Sequence, residues 1–389
     1  MSWVLAGLLA IPGTIHAQHG HGTDSARLSV EAMGVAVYSR LSPGALRRDI
    51  SEAYLTQPMV AARARFGGGR LELRGIVNAE GATLARGEIN AGVYGEGYVD
   101  RRHPHTWLHE AMIGARLSSG DVTWSLFAGK GFVPFGTEDP MLRPFVKYPV
   151  NHHHAQILER AQISASVGYR SLLLEGAMFN GDEPESPTDW PNGNRLFDSR
   201  AIRLTVTPMA ALALSASVAS VQSPEFASGD GLDQRKRSGS ARLRRETGSL
   251  RYALVEYANT REFSGSRQAF AFSSVLGEAQ WALGPVLLGA RAERTERPEE
   301  ERSSSPYRTV RPLLDFNILG RTRWTNLTLQ VAGPPRGTDH VWCRPFVEVG
   351  YHVPRAIARP TPLDPVDLFG KGQLWMVSVG LRGRAAKTW

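Results

Sequence analysis

The sequence predicts an all-β protein, a transmembrane antiparallel up-and-down β-barrel of about sixteen strands, with about 14–18 as the range its segments allow. Three observations predict it. Segments of about ten residues alternate apolar and polar side chains, again and again along the chain. The connections between them are by turns very short and long, the asymmetry of a barrel with short periplasmic turns and long extracellular loops. Finally, 40 glycines in 389 residues are spread throughout rather than pooled in one linker, as many strands with tight turns require.

At the N-terminus, Val4 to Ile11 is an apolar run, and Ile15-His16-Ala17 offers a small residue before a cleavage point that leaves Gln18 first. This is the pattern of a signal peptide over 1–17, although no Lys or Arg precedes the apolar run. A flexible periplasmic tail over 18–26 and a barrel over 27–389 follow from it. No later segment supplies the roughly 18 consecutive apolar residues of a membrane-spanning helix. An exported chain of that kind is soluble, lipid-anchored or a barrel, and no Cys near the cleavage point offers a lipid anchor. The single cysteine, Cys343, rules out an internal disulfide framework.

The hairpin from Val60 to Asn78 shows the alternation best. Val60, Ala62, Ala64 and Phe66 share one face and Arg63 and Arg65 the other. After the Gly67-Gly68-Gly69 turn, Leu71, Leu73, Gly75 and Val77 continue the apolar face, opposed by Arg70, Glu72 and Arg74. In a barrel the apolar face meets lipid and the charged one lines the lumen. The pattern recurs around Ile163–Tyr169, Leu204–Val218, Val286–Glu293 and Cys343–His352, where Pro345 suggests a bulge. In the last strand Trp375, Val377, Val379 and Leu381 alternate with Met376, Ser378, Gly380 and Arg382, resembling the recognition signal read by the barrel assembly machinery; Arg384–Thr388 then breaks the pattern before Trp389.

Long, polar loops are expected near 40–51, 80–106, 132–156, 181–197, 222–235, 259–267, 297–315 and 355–371, and short turns near 67–69, 118–121, 169–171, 208–209, 246–249, 283–285 and 332–340. An even strand number with both termini on the periplasmic side then favours sixteen.

Several blocks carry a family likeness: Asp100-Arg101-Arg102-His103-Pro104-His105, the His152-His153-His154 run, Leu174-Glu175-Gly176-Ala177-Met178-Phe179-Asn180-Gly181-Asp182-Glu183-Pro184, and Phe197-Asp198-Ser199-Arg200 leading to Ser223-Pro224-Glu225. In this order they resemble an uncharacterised family of porin-like outer-membrane β-barrel proteins of bacteria. The resemblance spans roughly 50–225 and departs from the family pattern at Arg102, Thr106 and Asp182. It implies the outer membrane of a Gram-negative bacterium and a barrel architecture.

The inward positions expected to line a pore are Arg63, Arg65, Arg74, Arg116, Arg203, Arg242, Arg244, Arg291 and Arg344, with Glu72, Glu110, Glu175, Glu293 and Glu348 among them. Rings of Arg favour anions, and the formal net charge of +8 points the same way. The alternative is that Arg–Glu pairs stiffen the wall without selecting any ion. His103, His105, His109, His152, His153 and His154 fall in loops flanking one hairpin, where they either hydrogen-bond to fix those loops or bind Cu or Zn; no spacing matches a strong zinc template. His19 and His21 in the tail offer a further Cu(II) or Ni(II) site.

The remaining signals are weaker. Arg235-Lys236-Arg237 is expected to be a solvated or lipopolysaccharide-facing patch, because export removes a nucleic-acid partner. Asp139, Asp182, Glu183 and Glu185 read as solvated loop acids before they read as a Ca²⁺ site. No Gly-x-Ser-x-Gly elbow appears, and the outward positions supply no Ser–His pair for a barrel enzyme. The expected function is passive diffusion of small polar solutes through a porin-like channel, weakly anion-selective or metal-related. A non-conducting barrel that binds metal or a partner through its histidine loops is the alternative. Lipid, lipopolysaccharide, the assembly machinery and further copies of the chain are the expected partners.

Overall fold

The structure, a computed structural model, describes residues 28–43, 49–79, 106–137, 139, 142–146, 148–150, 152–184, 188–300, 318–357 and 372–389. The predicted signal peptide, the tail, His103 and His105 lie outside these residues, as does the side chain of His153.

The strands, in chain order, are β1 (Leu28–Ser42), β2 (Ile50–Phe66), β3 (Leu71–Asn78), β4 (Leu108–Ser119), β5 (Val122–Gly131), β6 (Arg160–Tyr169), β7 (Leu172–Phe179), β8 (Ser199–Met209) and β9 (Leu212–Val221). They continue with β10 (Asp233–Arg244), β11 (Leu250–Ser264), β12 (Arg267–Leu283), β13 (Val286–Glu300), β14 (Ile318–Ala332), β15 (Arg336–Gly337), β16 (Val341–Ala356) and β17 (Leu374–Thr388). Each pairs antiparallel with its neighbours, and β17 returns to β1 in register from Ser29↔Thr388 to Ser42↔Trp375. The two-residue β15 sits against the start of β16 within a connection, and β14 pairs directly with β16. The wall is therefore a closed sixteen-stranded barrel. Closure leaves no edge whose amides would face hydrocarbon unpaired.

Polarity is inverted relative to a soluble barrel. On β3, Leu71, Leu73 and Val77 are exposed on the outside while Glu72 and Arg74 are buried inside. On β17, Trp375, Val377, Val379 and Leu381 are exposed while Met376 and Ser378 are buried. Aromatic side chains border this outer apolar face at two levels. Phe66, Trp124, Tyr169 and Trp281 stand near the short connections, and Tyr38, Tyr257 and Trp375 nearer the other end. Such girdles place amphipathic rings at the two membrane–water boundaries.

Several expectations are corrected. The loop expected at 259–267 is a two-residue turn at Gly265-Ser266, because β11 and β12 rise past the apolar face and their outer side there meets water. Polar Asn259 and Arg261 thus continue a strand that composition alone cannot tell from a loop. Arg384–Thr388 likewise does not end the last strand: β17 runs through it, and Arg384 turns inward onto Glu31 at 2.6 Å. The register passes Pro345 without a bulge. Its carbonyl accepts from the Gly333 N–H, so its nitrogen faces the same side, where β14 has already ended at Ala332. Arg235-Lys236-Arg237 is not one patch either: it lies within β10, so Arg235 and Arg237 point out and Lys236 is buried inside.

Candidate functional site

The described residues of the expected outer loop 132–156 instead fold into the barrel. Its composition explains why. Val133, Phe135, Phe145, Val146, Tyr148, Val150 and Ile157 are all fully buried, a content that an exposed loop would leave facing water. Val133, Phe135 and Ile157 pack on Phe179, Ala201, Ala219 and Val221 of β7–β9. Val146 packs on Val35, Val37 and Tyr54 of β1 and β2 and on Phe346 of β16, and Tyr148 on Met59 and Ile76. Each large side chain buried this way contributes about 1.5–3 kcal/mol. The two arms of the segment meet at Gly136, where the φ is +72° and a Cβ would lie 1.6 Å from the Ala155 carbonyl oxygen. No other residue fits there.

Irregular backbone inside a barrel needs partners for its amides, and the wall supplies them. The Val146 N–H donates to Glu348 at 2.9 Å and the Val150 N–H to Glu293 at 3.0 Å. The Gly136 N–H donates to the Ser217 hydroxyl at 2.9 Å. Gln330 donates to the Pro144 carbonyl at 2.9 Å, and Arg382 to the carbonyls of Arg143 and Phe145 at 3.2 and 3.3 Å. Glu293 and Glu348, expected as pore charges, are thus anchors of the inserted segment.

The lumen charges fall into separate groups. On β2–β4, four guanidiniums surround the buried Glu72: Arg63 at 3.5 Å, Arg65 at 3.2 Å, Arg116 at 3.3 Å, and Arg74 in direct hydrogen bond. Arg74 also stacks 4.1 Å above the Phe127 ring, and Glu110 is buried on the neighbouring strand. On β7 and β8, Arg203 donates to Glu175 at 2.7 Å and reaches the Gly136 carbonyl. Across the barrel, Arg143 of the inserted segment donates to Glu256 at 3.1 Å and lies 3.8 Å from Glu278. Arg291 and the Tyr252 hydroxyl complete the partners of Glu278 at 2.7 and 2.8 Å, and Arg291 lies 4.3 Å above the Phe145 ring. Arg242, Arg244 and Arg344 are half-buried on the inner faces of β10 and β16.

Sequence reasoning missed Arg143, Glu256 and Glu278. Arg143 sits in what reads as a polar loop, and the signal that could have placed it inside was the density of Phe, Tyr and Val around it. Glu256 and Glu278 alternate with apolar neighbours on β11 and β12, the same local signal that marks Glu72 and Glu348.

Of the histidines singled out in the sequence, His109, His152 and His154 each bond to a different piece of chain. His109 is hydrogen-bonded to Glu159, which also accepts from the Thr106 backbone N–H at 3.2 Å, so the base of β4 is tied to the end of the inserted segment. His152 shares a hydrogen bond with the Pro149 carbonyl at 2.8 Å. His154 lies between the Thr260 hydroxyl at 3.2 Å and the Glu296 carbonyl at 3.0 Å, stacked on Phe272. Among the described residues, no group of three or more His, Cys, Asp or Glu is placed to hold a metal ion.

No family model matches the sequence, and no curated protein matches it. Solved structures match its architecture. An anion-selective porin from Comamonas acidovorans superposes with a TM-score of 0.56 at 10% identity, over 92% of this chain and 99% of that one. The outer membrane channel DcaP of Acinetobacter baumannii gives 0.53 at 10% identity, over 92% and 96%. At such identity the likeness is one of fold and does not extend to side chains. The chain therefore has the closed, sixteen-stranded, porin-like β-barrel fold of outer-membrane proteins.

Proposed function

We propose that this chain is an outer-membrane channel through which small polar solutes diffuse passively, with a lining that favours anions. The observation that carries the reading is the polarity of one continuous wall, apolar outside and guanidinium-rich inside. The cluster of four arginines on Glu72 is its clearest instance. A positive lining lowers the cost of bringing an anion out of bulk water and raises it for a cation. The inserted segment narrows the passage, and its anchoring carboxylates, Glu293 and Glu348, accept from neutral N–H groups and so offset part of the positive lining. In this reading the short connections face the periplasm, the outer wall meets lipid and lipopolysaccharide, and the last strand engages the assembly machinery.

Purified protein reconstituted in planar bilayers under a salt gradient tests the proposal. Discrete current steps with a reversal potential displaced toward that of chloride are expected. Silent bilayers from correctly folded protein would refute it. They would favour the second reading, a non-conducting barrel, for which the complete burial of Arg143 and Glu256 inside the lumen speaks.

A further inference from the structure

Beneath residues 142–146, on the side of the short connections, the barrel holds a cavity of about 280 Å³. It is walled by β10–β14, β16 and β17, with the inserted segment as its ceiling. Its charged lining has one sign. Arg143, Arg244, Arg245, Arg251, Arg344 and Arg382 face it, and no Asp or Glu is among the described residues that line it.

The carboxylates closest in the network are already engaged. Glu278 takes Arg291 and the Tyr252 hydroxyl, Glu256 takes Arg143, and Glu348 takes the Val146 N–H and Gln330. Arg382 and Arg244 donate to carbonyl oxygens of the inserted segment, which engages those N–H groups without cancelling the charge. Arg344 makes no such bond among the described residues. It is half-buried, its Nε is enclosed without a hydrogen-bond partner, and the nearest compensation is the Trp342 ring, 5.9 Å from the guanidinium carbon. Arg245, Arg251 and Arg344 form no ion pair among the described residues. A guanidinium partly withdrawn from water without an anion is costly, and an anion with two or more acceptor oxygens satisfies it in the fork geometry arginine presents.

The rest of the wall is mostly aromatic and apolar, with Tyr252, Trp342, Phe346 and Leu287 beside the two amides Gln280 and Gln330. Inorganic anions make no use of such a surface, whereas a flat ring does. The volume suits a ligand with one ring and one headgroup.

We propose that this cavity binds a small aromatic dianion of the aryl phosphate class, with Arg344 meeting the headgroup and the aromatic wall meeting the ring. As a substrate site the cavity rests on the channel reading, since it lies on the inner side of the constriction; binding as such does not require conduction.

The test is calorimetric titration of the full chain in detergent at low salt with phenyl phosphate, against inorganic phosphate and benzyl alcohol. Phenyl phosphate is expected to bind at least about tenfold more tightly than either. Arg344→Gln is expected to lose about tenfold in affinity and Arg344→Lys less, because Lys keeps the charge without the fork. Arg170→Gln, at the exposed Asp121 pair outside the barrel, serves as the charge-matched control and leaves binding unchanged. Arg251→Gln replaces Arg344→Gln if the latter loses its heat-modifiable gel migration. Absence of heat with phenyl phosphate, equal affinity for inorganic phosphate, or equal affinity in the cavity variant and the wild type each overturns the proposal. Bilayer conductance of the same preparation separates the two readings. Conduction without binding removes the site and leaves the channel; binding without conduction leaves the site and removes the channel.

Discussion

Arg143 and Glu256 meet 3.1 Å apart inside the barrel, and neither side chain retains exposed surface. One comes from a connection between β5 and β6, the other from β11, so the pair ties the inserted segment to the opposite wall. Removing one partner of a buried pair leaves an uncompensated charge, at about 3–5 kcal/mol. Arg143→Ala is therefore expected to lower the urea midpoint of the folded barrel in detergent and to enlarge its single-channel steps. Unchanged midpoint and step size would mean that the segment is held by its apolar contacts alone.

Glu72 meets four guanidiniums, with Glu110 buried on the neighbouring strand. Glu72→Gln removes the negative charge and keeps the shape, so the lining gains one net positive charge. Anion preference is expected to rise, read as a further displacement of the reversal potential toward that of chloride. Thermal stability is expected to fall, because the arginines then repel one another without a shared partner.

Leu329 lies on the outer face of β14 with 52% of its surface exposed. If that face meets lipid, Leu329→Arg costs about 2–4 kcal/mol in vesicle-based unfolding, the depth-dependent cost of a cation in hydrocarbon. A cost below about 0.5 kcal/mol, the range of ordinary surface substitutions, would place the residue in water.

The final residues close the barrel. Met33↔Arg384 through Ser29↔Thr388 pair β1 with the end of β17, and the Trp389 N–H donates to the Leu28 carbonyl at 2.9 Å. Deleting 384–389 leaves that part of β1 unpaired at an open edge. Loss of heat-modifiable gel migration is the expected result; retention of it would show that the seam closes without these residues.

Most of the wall was legible because alternation is local. Side chains two residues apart share a face, so Arg63, Glu72, Arg74, Glu175, Arg203, Arg291 and Glu348 could be placed inward from their immediate neighbours. The three-glycine turn at Gly67–Gly69 was equally plain, and all three residues adopt positive φ. The errors came where local composition is ambiguous. Asn259 and Arg261 read as loop, and Arg384 as an interruption, because water-facing strand and loop share a vocabulary.

The sequence by itself determined the strand rhythm, the hairpin order and which side chains turn inward, since each depends on residues adjacent in the chain. The tertiary structure alone decided that 132–157 enters the lumen, that Glu293 and Glu348 serve its backbone amides, and that six arginines converge on one cavity. Those outcomes depend on which strands face each other across a closed barrel, and nothing in the spacing of Arg143 and Glu256, 113 residues apart, records the distance that closure sets between them.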